Sequence, residues 1–115
     1  MINFEELTGH TIRKIQGSDL LEGAPDQRDC IRQFVKLTAS SYSETLKLTR
    51  GQEIQFLSDW HGYVVDECSA TYEAAQLAQP TANREDLNAS PELTMLNGIR
   101  SGLRAARKVS NRQLH

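Results

Sequence analysis

The chain has 115 residues, of which 38% are hydrophobic and 24% charged, and its formal net charge is -2. A chain of this length forms one domain whose core needs no metal or disulfide, so we predict a single helical domain over residues 1–115. The hydrophobic content lies below the usual value of roughly 45–50%, which favours a core shared with a second copy or a partner. The lack of a basic surplus argues against a generic polyanion binder.

The charges are unevenly distributed along the chain. Residues 1–50 carry seven acidic and seven basic side chains, and residues 51–92 carry eight acidic and one basic. Residues 93–115 carry five basic side chains and no acidic one. The sequence is therefore neutral, then acidic, then basic, and a basic C-terminal segment is available to recognise an acidic surface.

The N-terminal segment, residues 1–16, has the spacing of a helix. One apolar side of this helix comprises Phe4, Leu7, Thr11 and Ile15. Gly9 disfavours the helix by about 1 kcal/mol relative to alanine, and residues 11–15 fit a short extended piece equally well. Residues 17–25 contain two glycines and a proline and are predicted to form a loop.

A second helix is predicted from Asp26, a suitable N-cap, to Leu48. Its apolar face, centred on Phe34, comprises Cys30, Ile31, Leu37, Thr38, Ser41, Tyr42, Thr45 and Leu48. The solvated or flanking positions are Arg28, Arg32, Lys36, Ser43 and Lys47. Small and hydroxylated residues in the middle of this segment allow a bend or a close neighbour, and a break near Ser40 is the main alternative to one continuous helix.

The strongest helical pattern covers residues 49–79. Thr49 and Gln52 have the spacing of a capping box, and Pro80 prevents continuation. The inward stripe comprises Ile54, Leu57, Trp60, His61, Val64, Cys68, Thr71, Tyr72, Ala75 and Ala78. The opposite, solvated side comprises Gln55, Asp59, Asp66, Ser69 and Glu73.

The short connection between the second and third segments predicts an antiparallel hairpin. Residues whose numbers sum to about 98 then lie at one level along the two helices. This pairing places Cys30 opposite Cys68, Phe34 opposite Val64, and Tyr42 opposite Phe56 and Leu57. We therefore expect the two cysteines to lie close together and to remain reduced.

The last part of the chain begins with a polar stretch, residues 81–89, in which Asn83 can cap one turn. Ser90 then provides an N-cap and Pro91 a first helical residue for a helix that we expect to reach Asn111. Its apolar face comprises Met95, Leu96, Ile99, Gly102, Leu103 and Ala106. Residues 110–115 are expected to fray. Together these elements predict an all-α fold, a small antiparallel helical bundle of three long helices plus an N-terminal helical element.

A basic stripe on the last helix is the feature with the clearest functional character. It comprises Arg100, Arg104, Arg107 and Lys108 and is extended by Arg112. Arginine suits both carboxylate and phosphate recognition, so the stripe is our candidate partner-binding site. The alternative is structural, with the stripe lying against the acidic helix of residues 49–79 or a symmetry mate.

The sequence contains no recognisable catalytic, cofactor-binding or metal-binding pattern. His61 has no ligand at the neighbouring helical positions, which are Leu57, Ser58, Val64 and Val65. The acidic residues lack the E-x-x-H spacing of di-metal bundles, and no nucleophile turn or phosphate loop occurs. We therefore predict a protein that is not an enzyme and that has no small-molecule substrate.

These features predict a small regulatory or adaptor-type protein that binds a partner protein, as an inhibitor, chaperone or regulator, and that forms a homodimer or another self-association. The alternative is a nucleic-acid-binding regulator that uses the basic helix. Two cysteines without a C-x-x-C spacing, a signal peptide or a membrane-spanning apolar run indicate the cytoplasm and no membrane association.

Overall fold

A computed structural model describes residues 2–17 and 27–113, and this part of the chain is helical with no strand. The helices are α1 (Phe4–Gln16), α2 (Gln27–Thr45), α3 (Arg50–Ala78), α4 (Arg84–Asn88) and α5 (Pro91–Gln113). The predicted all-α bundle of three long helices and an N-terminal helix is confirmed. Except for Gly17, the predicted loop of residues 17–25 lies outside the described residues, and so does the predicted Asp26 cap. Leu114 and His115 also lie outside them.

The helix starts follow local capping chemistry. In the capping box of α3, the Gln52 amide donates to Thr49 Oγ1 at 3.2 Å, and Gln52 Oε1 accepts from the Thr49 amide at 2.9 Å. Ser90 Oγ accepts from the Leu93 amide at the start of α5, at 3.3 Å. Asn83 Oδ1 accepts from the Asp86 amide at 2.8 Å and starts the single turn of α4. Each of these caps was predicted from the sequence.

Helix α5 packs extensively against both α2 and α3, whereas α1 makes fewer contacts with α2 and α3. Helices α3 and α5 are antiparallel, since His61 contacts Arg107 while Cys68, further along α3, lies near Arg100. Helices α2 and α5 are parallel, because Gly98 adjoins Ile31 and Gly102 adjoins Val35. It follows that α2 and α3 have opposite directions, as predicted.

The predicted contact between α2 and α3 along their whole length is wrong. The two helices meet near their connection, where Tyr42 stacks on Phe56 with ring centroids 5.5 Å apart. Elsewhere they have almost no close backbone contact, because each packs against α5 instead. The expected proximity of Cys30 and Cys68 loses its basis with this correction. Both thiols are free, that of Cys68 being buried and that of Cys30 half-buried.

The buried face of α2 is also rotated from the predicted one. The buried side chains are those of Ile31, Val35, Ala39 and Ser43. Phe34, the predicted centre, is half-buried, and Leu37 is 71% exposed. Gly98 and Gly102 explain the rotation, because these glycines let the branched side chains of α2 approach the α5 backbone. Ser43, predicted to be solvated, donates to Glu53 Oε2 at 3.0 Å.

Helix α2 continues through Ser40 without the break that its composition allowed, and it ends at Thr45. The Leu48 amide donates to the Ser43 carbonyl, and the Lys47 amide donates to the Glu44 carbonyl, both at 3.1 Å. These bonds form a Schellman motif, which requires a left-handed residue after the helix. Lys47 fills that position with φ 54°.

We expect Lys47→Gly to raise the free energy of unfolding by about 0.5–1 kcal/mol, because glycine adopts the left-handed conformation without a Cβ clash. Denaturant unfolding monitored by circular dichroism measures the change. Lys47→Ala is the control, since alanine removes the charged side chain but keeps the strained conformation, and it should leave stability near wild type. Equal stabilisation by both variants would contradict the backbone explanation.

The core joins α1, α2, α3 and α5, and Trp60 of α3 is fully buried in it. Trp60 Nε1 donates to the buried Thr8 Oγ1 at 2.9 Å, so the indole nitrogen has a partner on α1. Phe56 stacks on Trp60 at 5.7 Å and on Phe4 at 6.2 Å. Predicted inward positions of α1 are confirmed, with Leu7, Thr11 and Ile15 buried and Phe4 half-buried. The extended alternative for residues 11–15 is therefore wrong.

Candidate functional site

Helices α3, α4 and α5 border an open groove of about 950 Å³. Val65, Cys68 and Leu93 line its apolar part, and Cys68 and Leu93 are 6% and 1% exposed. The buried stripe of α3 ends at Cys68. Beyond it, Tyr72 lines this groove while Ala78 is exposed, so the last part of the predicted inward stripe does not reach the core.

The rim of the groove is basic. Arg100, Arg104 and Arg107 of α5 lie at i, i+4 and i+7 and therefore on one side of the helix, and Arg84 adds a fourth guanidinium group from α4. Glu73 is the one acidic residue among the lining side chains. Within the described part of the chain, no carboxylate oxygen lies within 4.0 Å of Arg100, Arg104 or Arg107. This positive charge is thus without an intramolecular ion pair there.

His61 contacts the arginine row at one end of the groove. Its Nδ1 lies 3.2 Å from Arg107 Nη1. Because a guanidinium group donates and has no acceptor, Nδ1 must accept this hydrogen bond, which places the proton of the neutral ring on Nε2. Burial, followed by the positive charges of Arg107, Arg100 and Arg104, lowers the pKa of His61 below its ordinary value of 6.5. Burial and the surrounding cations therefore both favour the neutral form of the imidazole.

Cys68 lies at the base of the groove, but its environment does not activate it. Burial raises the pKa of the Cys68 thiol, and the nearby charge of Arg100 opposes this effect only in part. A thiol with a raised pKa is a poor nucleophile at neutral pH. Among the described residues, no three His, Cys, Asp or Glu side chains are arranged to hold a metal ion.

The structure divides the predicted partner-binding residues. Arg100, Arg104 and Arg107 line the groove, whereas Lys108 is exposed and does not line it. The side chain of Arg112 lies outside the described part of the chain. Sequence reasoning did not assign Arg84 or His61 to this site. The signal for His61 was present, since it lies four and seven positions before Val65 and Cys68, on the same side of α3.

In the structural alternative, the basic stripe would lie against acidic residues of α3, but the structure places mainly other residues opposite it. The α3 side chains that face the arginine row are mainly uncharged, and they include His61, Val65, Ser69 and Tyr72. Asp59 and Asp66 are exposed and do not line the groove. Asp59 and Asp66 therefore lie away from the arginine row, whereas Ser69 and Glu73, which were predicted to be on the same solvated side, line the groove. Arg100 and Arg104 are exposed.

A smaller hollow of about 170 Å³, bordered by α1, α3 and α5, has the opposite charge. Glu5, Glu67 and Glu92 line it together with Tyr63. Burial and the neighbouring Glu67 and Glu5 carboxylates raise the pKa of the Tyr63 hydroxyl. The molecule thus presents a basic groove and an acidic hollow at separate places.

No protein-family model matches this chain, and no curated protein or solved structure shows significant similarity to it. None of the described helices combines the length and the apolar character that crossing a bilayer requires.

Proposed function

We propose that this protein is a binding protein that recognises an acidic segment of a partner protein in the groove between α3 and α5. The observation that carries the proposal is the row of Arg100, Arg104 and Arg107 on the rim of this groove, without a carboxylate partner in the described part of the chain. Guanidinium groups bind carboxylates through two parallel hydrogen bonds, which suits aspartate and glutamate side chains.

The apolar part of the groove favours a protein ligand. Val65 is half-buried and offers surface to an apolar side chain, while the arginines on the rim are placed to bind the acidic ones. This arrangement of an apolar centre and a charged rim is typical of protein interfaces. A single-stranded nucleic acid would require several stacking surfaces, and Tyr72 is the one aromatic residue that lines the groove.

In this role the protein is a cytoplasmic regulator or adaptor that acts by binding a partner protein and not by catalysis. Self-association is one way to supply the acidic ligand, because the hollow near Glu5, Glu67 and Glu92 presents three carboxylates to a second copy. The free thiols of Cys30 and Cys68 are compatible with a reducing compartment such as the cytoplasm.

Reversing two charges on the rim should abolish binding without unfolding the protein. Arg100 and Arg104 are exposed, so Arg100→Glu with Arg104→Glu should change the free energy of unfolding by no more than about 0.5 kcal/mol per residue. The loss of two arginine contacts and the new repulsion should weaken partner binding more than about tenfold. Thermal melting, light scattering and quantitative capture of the partner from the native host measure these effects.

Arg13→Glu with Lys14→Glu is the matched control, because it makes the same change in net charge at exposed positions of α1. The control should retain the partner. A phosphate-driven complex would appear as captured nucleic acid whose binding falls steeply with salt, and that result would favour the nucleic-acid alternative. Loss of the folded state in the rim variant would identify the arginine row as a structural clamp. If both variants bind the partner as the wild-type protein does, the groove is not the partner-binding site.

A further inference from the structure

The contact between His61 and Arg107 has an electrostatic consequence. The Nδ1 atom of His61 accepts from Arg107 at 3.2 Å, so protonation at Nδ1 replaces an acceptor by a donor and removes this hydrogen bond. The charged groups that act on His61 are Arg107, Arg100 and Arg104, which all belong to α5, the helix packed against this side of α3. Glu73 lies at the other end of the groove, about 18 Å away along the axis of α3.

An oxyanion can remove the unfavourable contact between the protonated His61 ring and Arg107. It can accept from the guanidinium groups of Arg104 and Arg107 and from a protonated His61 at the same time, so the direct contact between two donors is no longer needed. A bound anion also offsets the positive charges that disfavour protonation of the ring. Neither effect requires any other group in the described part of the chain to change.

We propose that the His61 end of the groove is an oxyanion-binding site formed by Arg104, Arg107 and His61, in which binding of the anion is coupled to uptake of one proton by His61. This site rests on the proposed function. Its ligand is a carboxylate or a phosphoryl group that the partner protein carries. Both groups present the same acceptor oxygens.

The sign of the pH dependence follows from linkage. Without an anion, His61 is protonated less readily in the folded than in the unfolded chain. Its contribution to folding is therefore fully present above the ordinary pKa of 6.5 and is lost as the pH falls through the lower, folded-state value. A bound anion raises the folded-state pKa, so anion affinity increases as the pH falls, and the anion counteracts the loss of stability in acid.

Nuclear magnetic resonance titration of the His61 ring in the 115-residue chain tests the coupling. Sulfate is the probe, because it stays divalent throughout the titration, and sodium chloride of equal ionic strength is the reference. We expect sulfate to raise the pKa of His61 by about 1 unit. By reciprocity, sulfate should bind about tenfold more tightly to the protein with His61 protonated.

Two substitutions on the same helix provide a matched comparison. Arg107→Gln removes a proposed ligand and should abolish the response of His61 to sulfate. Lys108→Gln removes the same charge from an exposed neighbour that does not line the groove, and it should leave the response intact. His61→Gln should retain sulfate binding but lose its pH dependence. Acetate and methyl phosphate, compared at one fixed pH and equal ionic strength, then distinguish a carboxylate ligand from a phosphoryl ligand by which one shifts the ring signals of His61 at the lower concentration.

The results separate this inference from the proposed function. Equal titration of His61 in sulfate and chloride would overturn the oxyanion site, since the wild-type protein alone provides that comparison. Loss of the response in Lys108→Gln as strongly as in Arg107→Gln would also overturn it, because the effect would then be diffuse. A sulfate response of His61 in the wild-type protein, together with partner binding that survives the Arg100 and Arg104 reversals, would support the anion site but contradict both the proposed function and the assignment of the anion to the partner.

Discussion

Val64→Asp should destabilise the protein by more than about 4 kcal/mol and lower its melting temperature by more than about 15 °C. Val64 is completely buried in the middle of α3. The substitution removes about 1.5–3 kcal/mol of apolar burial and adds the cost of placing a carboxylate where water is absent. Burial raises the pKa of such a carboxyl, so the damage should be largest at neutral pH and should decrease as the pH falls.

Val65→Asp is the control, because it makes the same chemical change one residue later. Val65 is half-buried and lines the arginine groove, where an added carboxylate meets positive charge. We expect it to be tolerated far better than Val64→Asp. Circular dichroism and thermal melting of the two variants decide the orientation of α3. Near wild-type stability of Val64→Asp would mean that the inward face of this helix has been misassigned.

Gly98→Leu should destabilise the protein by at least about 3 kcal/mol, because α5 lies too close to α2 to accept a side chain there. A Cβ atom at Gly98 would lie 2.8 Å from Cγ2 and 3.2 Å from Cβ of Ile31. Ile31 is 2% exposed and branched at Cβ, so its methyl group has little freedom to move aside. Denaturant unfolding should show a lower midpoint for this variant.

Gly62 and Ile31 provide the controls for this steric explanation. A Cβ at Gly62, on the exposed side of α3, would meet nothing within 4 Å, so Gly62→Leu should keep or raise stability through better helix propensity. Combining Gly98→Leu with Ile31→Ala should cost less than the sum of the two single changes, since the new side chain occupies the space that isoleucine leaves. Additive losses would contradict a direct contact between the two positions.

The starts and ends of the helices were largely predictable because local groups decide them. The Thr49 capping box, the Asn83 and Ser90 caps and the stop before Pro80 each involve residues within a few positions of one another. Helix α5 continues two residues past its predicted end at Asn111. In the hydroxylated middle of α2, Thr38 Oγ1 donates to the Phe34 carbonyl at 2.9 Å, so this hydroxyl is satisfied within the continuous helix.

The candidate site was predicted in part. The spacing of Arg100, Arg104 and Arg107 was enough to place them on one side of a helix. The helix that these arginines face could not be predicted from neighbouring residues, because it depends on how α5 packs against α2 and α3 together. The predicted partner of α2 was α3, since a short connection favours adjacent helices. His61 and Arg84 joined the site only through this packing.

The sequence by itself determined that the protein is helical, where most helices begin and end, and that its positive charge gathers near the C-terminus. The tertiary structure decided which face of each helix is buried and which residues share the groove. Gly98 and Gly102 illustrate the reason, since the absence of a side chain in α5 admits Ile31 and Val35 and thereby rotates α2 away from its predicted face. Helical periodicity constrains the side chains within one helix, whereas the fit between two helices depends on residues that are far apart in the chain.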